Sequence, residues 1–530
     1  ARVVIVAYDS HNEFQQTNVI SSFMPEGVGG VTELFKNRVV VPFQGDYQQY
    51  DHVIHHELVH AVLNDMFYGG TFQSAVMNSG GFMIPLWMNE GLAEWQSIGG
   101  MNTETDMFMR DLTISEELPQ LDNLGGYLAY RGGQTFYWYV AEKFGKERVG
   151  DLINRLKIHR NLKIAFESAF HIPFEDFSEK WQSDIKKYYL PDLEKYESPK
   201  DYAVQITDHY KERSFYNSSP AISPDGEKVA YISAKGGNFG IYVRKIEKKS
   251  EPKMLVNSFR SQDFEDLNML TPGISWNPKG DKIAISAKSG GEDAIFIVDE
   301  KTGDYKKLLF GLKSISSVQW SPDGKKLAFI ASVHEKSDIM IYDLDTKKIT
   351  NLTNDIFTDK FAIWAPDSKS LYFISDRGDN IVNGINKSNF DVWKHNFYSS
   401  DIYKIELNNQ QITRLTFDSD NEKTSVAVTS DNSKLFYVSD KNGIGNLYVM
   451  NLNDLKSKPI TNSITGITQI SLAIDDSKLV FTTQIKGGYD LYLIKYPLER
   501  DMKMDELPIT KFKKELTEKN KILASLAIPD

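Results

Sequence analysis

The sequence predicts a multidomain α+β chain in which a helix-rich N-terminal domain precedes an all-β six-bladed propeller. Three observations predict it. Apolar residues recur at helical spacing from about residue 46 to residue 188. A charged stretch punctuated by prolines, "YYLPDLEKYESPKD", then breaks that texture. From about residue 200 one β-rich unit recurs six times. At 530 residues the chain also exceeds the roughly 250–300 that a single hydrophobic core organises, so separate domains are expected. The boundaries fall at 1–195 for the N-terminal domain, 200–500 for the propeller and 501–530 for a tail that includes a short helix.

The chain opens on a strand-like "RVVIVAY", and "NRVVVPF" (37–43) alternates like a second strand before leading into a helix. That helix is "GDYQQYDHVIHHELVHAVLNDMFYGG", with Gly69 and Gly70 as its stop signal. A second helix, "PLWMNEGLAEW" (85–95), enters at a proline and runs to Gly99 and Gly100. A third, "YLAYRGGQTFYWYVAEKFG" (127–145), is rich in aromatic residues suited to a core.

The repeats are "SPDGEKVAYIS", "NPKGDKIAISA", "SPDGKKLAFIA", "APDSKSLYFIS", "TSDNSKLFYVS" and "IDDSKLVFTT". Their third turn positions, Asp225, Lys279, Asp323, Asp367, Asp431 and Asp476, lie 44 to 64 residues apart. Ser-Pro-Asp-Gly fits a type I turn, because proline presets φ at its second position, and an alternating, half-buried strand is expected after it. A strand such as "GIYVRKI" or "DIYKIEL" follows, then one ending in a "LT"-like pair. Four strands in a period of this length describe a propeller blade. The last copy lacks its own "LT" strand while "AVQITDH" (203–209) precedes the first, so the early strand is expected to complete the final blade as a clasp. The longest insertion, 376–398, carries Phe390, Trp393, His395, Phe397 and Tyr398.

Composition narrows the function. A formal charge of −11 and a pI near 5.5 argue against a nucleic-acid partner and against anchoring on anionic lipid. The chain has no cysteine, which excludes disulfides, thiolate metal sites and a cysteine nucleophile. No apolar run reaches the roughly 20 residues that span a bilayer, and no export signal stands at the start, so a soluble chain is expected, with any export signal removed or never present. The absence of cysteine suits an extracytoplasmic bacterial protein, whether periplasmic, secreted or on the cell surface.

Chemistry concentrates in "HHELVH" (55–60). Residues four apart share a helix face, so His56 and His60 can reach one ion, and Glu57 completes His-Glu-x-x-His, the pattern in which the glutamate activates water. His52 and His56 are also four apart but lack the glutamate between them. His55 points about 100° away from His56 and reads as a solvated histidine. Zinc needs a third protein ligand and an open position, so another carboxylate or histidine is expected downstream. Glu90 and Glu94 lie one turn apart on one face of the next helix and can supply it.

"HELVH" followed by "WMNEGLAEW" resembles the gluzincin metallopeptidases, and most closely the peptidase-MA-like domains of exported bacterial proteins. The resemblance implies a Zn2+ cofactor held by His56, His60 and Glu90, with Glu94 orienting His56 from behind. It implies Glu57 as the catalytic base, and a tyrosine in a Tyr-x-x-Gly context, Tyr130 with Gly133, as oxyanion donor; Tyr127 competes for that role. Such enzymes hold an extended peptide on an edge strand, which "NRVVVPF" would provide. The Gly- and Ser-rich 68–84 has the composition of a lid, and the Gly-x-Met-Glu-Asn segment of aminopeptidases is absent, which favours an endopeptidase. The repeats resemble the TolB-like propeller, over about residues 200–497. The partners implied are a peptide or protein substrate and a protein docked on the propeller. The alternative is a catalytically silent zinc-binding scaffold in an extracytoplasmic assembly. A serine peptidase of the propeller-plus-hydrolase kind is excluded by the lack of Gly-x-Ser-x-Gly.

Overall fold

The computed structural model describes residues 3–17, 24, 27–33, 38–69, 82–247, 250–258, 263–269, 273–332, 337–382, 384–386, 388 and 390–526. The chain divides into two compact units that interleave along the sequence rather than parting at one linker. One comprises residues 1–8, 28–42 and 49–195; the other comprises 9–27, 43–48 and 196–530.

In the first unit, Arg38–Pro42 is the middle of a three-stranded sheet. Val4–Tyr8 pairs with it in parallel and Val31–Thr32 in antiparallel fashion. This corrects the expectation that "NRVVVPF" forms the edge: both of its sides are taken, and among the described residues the edge on the antiparallel side is the two-residue strand Val31–Thr32. The long helix Tyr47–Tyr68 is buried on two faces. Val53, Leu58 and Ala61 pack with Val39 and Val41 of the sheet, while Leu63 and Phe67 join the helical core. Residues 56, 60, 63 and 67 follow one helical stripe, so the histidine face runs on directly into that core.

The helix Leu86–Ile98 is bounded by Pro85, in an extended conformation, and by Gly99, whose φ of 74° closes the last turn in the left-handed region. Its neighbour is Tyr127–Phe144. The two helices approach so closely that a Cβ built on Gly91 would lie 2.3 Å from the Gly133 carbonyl carbon. Glycine is required at both positions. Further helices, Thr103–Ile114, Glu147–His159, Leu162–Phe170 and Phe174–Tyr189, complete the core around Trp181, Phe166 and Phe177.

Among the described residues the second unit contains six four-stranded antiparallel sheets. Their first strands, Asn217–Ile222, Ile274–Trp276, Ser314–Trp320, Asp359–Trp364, Lys423–Val428 and Ile467–Leu472, contact one another in a closed cycle, which makes a six-bladed propeller. The "SPDG"-type turn joins the first and second strands of each blade, with Gly226 N–H donating to Ser223 O at 2.8 Å. The second strands are buried on both faces rather than alternating, as Lys228–Ser233 and Ser370–Ser375 show. Each blade is covered by its neighbours on either side, so no face is left for water. Val204–Gln205 pairs with Leu493 and Tyr492 of the last blade, forming the clasp.

The "LT" pair is explained by a repeated latch. In four blades the threonine hydroxyl accepts from a backbone N–H near the head of the third strand and donates to the Asp or Asn just before it. Thr416 bonds Ile402 N at 2.9 Å and Asp401 at 2.6 Å, and Thr461 bonds Leu447 N and Asn446, each at 2.9 Å. Thr353 serves Asp338, and Thr207, from the clasp, serves Asp490 at 2.7 Å.

Candidate metal centre

Three ligand-type atoms converge in the first unit. His56 Nε2 and His60 Nε2 are 3.0 Å apart, and each lies 3.2 Å from Glu90 Oε2. Ligand atoms about 2.0–2.1 Å from a tetrahedral zinc stand roughly 3.3–3.4 Å from one another, so this triangle fits one face of such a site with little adjustment. All three side chains are largely buried. Helical spacing aligns the histidines, and the close Gly91–Gly133 approach seats Glu90 and Tyr130 on facing helices.

Behind the triangle, His56 Nδ1 lies 3.1 Å from Glu94 Oε1. Arg131 Nη1 holds the other oxygen of Glu94 at 3.2 Å, and His52 Nε2 approaches Oε1 at 3.4 Å. Burial opposes the charged form of His56, but its bonds to Glu90 and Glu94 outweigh this and push its pKa up to about 9. Burial likewise opposes ionisation of Glu90, yet His56 and His60 hold it at about 2. Glu94 is held below the carboxylate range by His52, His56 and Arg131 against its own burial. His60 Nδ1 has no partner among the described residues. His55 is exposed beside Asp51, as a solvated histidine should be.

Glu57 is buried on the sheet side of the same helix. Thr32 Oγ1 lies 2.7 Å from its Oε2, a contact with no sequence signal because sheet pairing brings it there. The Tyr130 ring stacks on His56 with centroids 6.2 Å apart. Burial, and then the charges of Glu90, Glu57 and Glu94, raise the Tyr130 pKa, so it stays an O–H donor. Tyr127 is engaged elsewhere: its hydroxyl donates to Glu104 at 2.7 Å and accepts from Arg131 Nε at 2.8 Å. Of the two candidate tyrosines, Tyr130 is the one beside the histidines. The proposed lid, 68–84, lies mostly outside the described residues.

A second carboxylate group, Asp338, Asp355 and Asp359, is buried in the propeller. The Arg377 guanidinium already fills it, with Nη1 3.0 Å from Asp355 and Nη2 2.6 Å from Asp359.

Residues 266–390 match the family described as TolB beta propeller domain. No curated protein matches the chain. Among solved structures, TolB from Acinetobacter baumannii is similar at 21% identity over 51% of this chain and 64% of that one, with a TM-score of 0.38. A putative TolB from Agrobacterium tumefaciens is 15% identical over 47% and 81% of the two chains, at a TM-score of 0.37. The tricorn protease is 15% identical over 52% and 29%, at 0.35. The match thus spans 64% of the length of the first of these structures. No described helix is long and apolar enough to cross a membrane.

Proposed function

We propose that the first unit is a zinc-dependent peptidase, an endopeptidase by the residues it lacks, with the propeller binding substrate or a protein partner outside the cytoplasm. The observation that carries this reading is the triangle of His56, His60 and Glu90, with Glu57 on the same helix. His56, His60 and Glu90 would hold the zinc ion, which would supply Lewis acidity and make water easier to deprotonate.

The chain's own residues do the rest. Glu57, held by Thr32, takes a proton from water as its oxygen adds to the peptide carbonyl. The same carboxyl then returns that proton to the leaving amine as the C–N bond breaks. The Tyr130 hydroxyl donates to the carbonyl oxygen as charge builds there. Glu94, braced by Arg131 and His52, fixes the ring of His56. The edge strand Val31–Thr32 offers main-chain groups to an extended peptide, which suits many sequences.

Metal analysis and peptide-library cleavage on one sample test the reading. Glu57→Gln should keep about one zinc and lose turnover by about 10²- to 10⁴-fold, whereas Glu90→Ala should lose zinc itself. Cleavage by Glu57→Gln at the parent's rate would remove Glu57 as base. A parent that holds zinc yet cleaves nothing would leave the silent scaffold.

A further inference from the structure

We infer that Thr32 is a positioning residue for Glu57, an inference that rests on the peptidase reading. Thr32 lies outside the His-Glu-x-x-His motif and 25 residues before the base it would orient. Its hydroxyl is 2.7 Å from Glu57 Oε2 and 2.9 Å from the Glu57 backbone oxygen. A hydroxyl has one proton to give, and a carboxylate is the stronger acceptor, so the bond to Oε2 dominates.

Two features make this a fixed support. Thr32 is paired across the sheet with Val39, and a β-branched side chain has few rotamers, so the hydroxyl is aimed by the backbone. On the other flank, the chain at Gly30 lies against the same carboxylate: a Cβ there would fall 2.8 Å from Glu57 Cγ and 3.0 Å from Oε1. Glu57, which has three rotatable side-chain bonds, is therefore clamped between a hydrogen bond and a backbone wall.

The clamp separates the two oxygens. Oε2 is committed to Thr32, which leaves Oε1 as the oxygen that accepts the proton of water and later yields it to the amine. The balance needs nothing else: one proton moves from water to Oε1 and on to nitrogen, and the Thr32 hydroxyl keeps its own. Because Thr32 belongs to the edge strand, a peptide main chain that adds to that edge settles beside the residue that aims the base.

The test uses the full-length, zinc-loaded protein with Thr32→Val, which keeps shape and removes the hydroxyl, and Thr32→Ser, which keeps the hydroxyl. Thr32→Val should hold zinc as the parent does, keep KM within about 3-fold, and lose kcat by about 10- to 100-fold, the scale of a misplaced rather than a missing base. Thr32→Ser should recover kcat to within a few-fold. Crystal structures of both variants should show Glu57 in one rotamer with serine and displaced with valine. Unchanged kcat in Thr32→Val, no rescue by serine, or an unmoved Glu57 would each overturn the assignment. If the zinc-loaded parent cleaves nothing, the peptidase reading falls, and the Glu57 rotamer alone decides whether Thr32 positions it.

Discussion

His56 meets two carboxylates, one on each ring nitrogen, and this decides how the centre responds to pH. In the metal-free protein its pKa stands near 9, because the bonds to Glu90 and Glu94 outweigh burial. A metal takes the neutral imidazole, so below pH 9 binding must expel a proton, and affinity should climb about tenfold per pH unit towards pH 9. Glu90, at about 2, is ionised throughout and adds no slope. Competition against a chromophoric chelator between pH 6 and 10 measures this. A flat profile from pH 7 to 9 would mean that His56 is already neutral. Glu94→Gln removes one of the two charges, so its slope should flatten at a lower pH, with zinc bound about 10- to 100-fold more weakly once His56 is neutral in both.

At the scale of elements, the centre depends on two helices pressed backbone to backbone. A Cβ on Gly133 would meet the Trp87 carbonyl oxygen at 2.1 Å, and backbone cannot swing aside as a side-chain tip can. Gly133→Ala should therefore cost about 1–3 kcal/mol or more and weaken zinc binding, since it pushes Tyr130 and Glu90 apart. Gly150→Ala is the control: nothing lies within 4 Å of its Cβ position in the helix Glu147–His159, so it should gain up to about 1 kcal/mol. Denaturant unfolding with and without zinc reads both. The histidine pair and Glu90 with Glu94 were legible in the sequence because 3.6-residue periodicity alone puts each pair on one face. The blade repeat was legible too, since each copy carries its own turn. Thr32 was not: a two-residue strand, Val31–Thr32, shows no alternation, so the edge passed to the longer "NRVVVPF". The threonine latches have no local sequence signal: three join residues 15 apart and the clasp's joins residues 283 apart, and their common role appears only when strands are laid side by side.

On the scale of the whole molecule, the chain enters the propeller unit twice before residue 196. Those early segments make contacts that the repeats lack. Asp293 heads a third strand as Asp338 and Asp401 do, but its blade ends in "KKLLFG", with no threonine to serve as latch. Asn12 supplies the missing donor, with Nδ2 2.8 Å from Asp293 Oδ1 and 2.9 Å from Lys313 O. Similarly, Thr358 Oγ1 donates to Gly45 O at 3.0 Å and Lys360 pairs with Asp46 at 2.6 Å. A chain starting at Tyr196 should thus melt below the propeller transition of the intact protein, and Asn12→Ala should reproduce part of that loss, about 1–3 kcal/mol at pH 7.5. Burial raises the Asp293 pKa from 3.8 to about 6 despite its donors. The folded state then binds the extra proton between those values, so this group's contribution to stability is greatest below pH 3.8 and declines as pH rises through 6. The Asn12→Ala penalty should accordingly shrink at pH 5, where Asp293 is largely protonated and needs a donor less. Calorimetry at both pH values separates the cases: a penalty equal at pH 5 and 7.5 would mean that Asn12 acts through Lys313, and a chain from Tyr196 as stable as the propeller of the intact protein would mean that the early segments only rest on it.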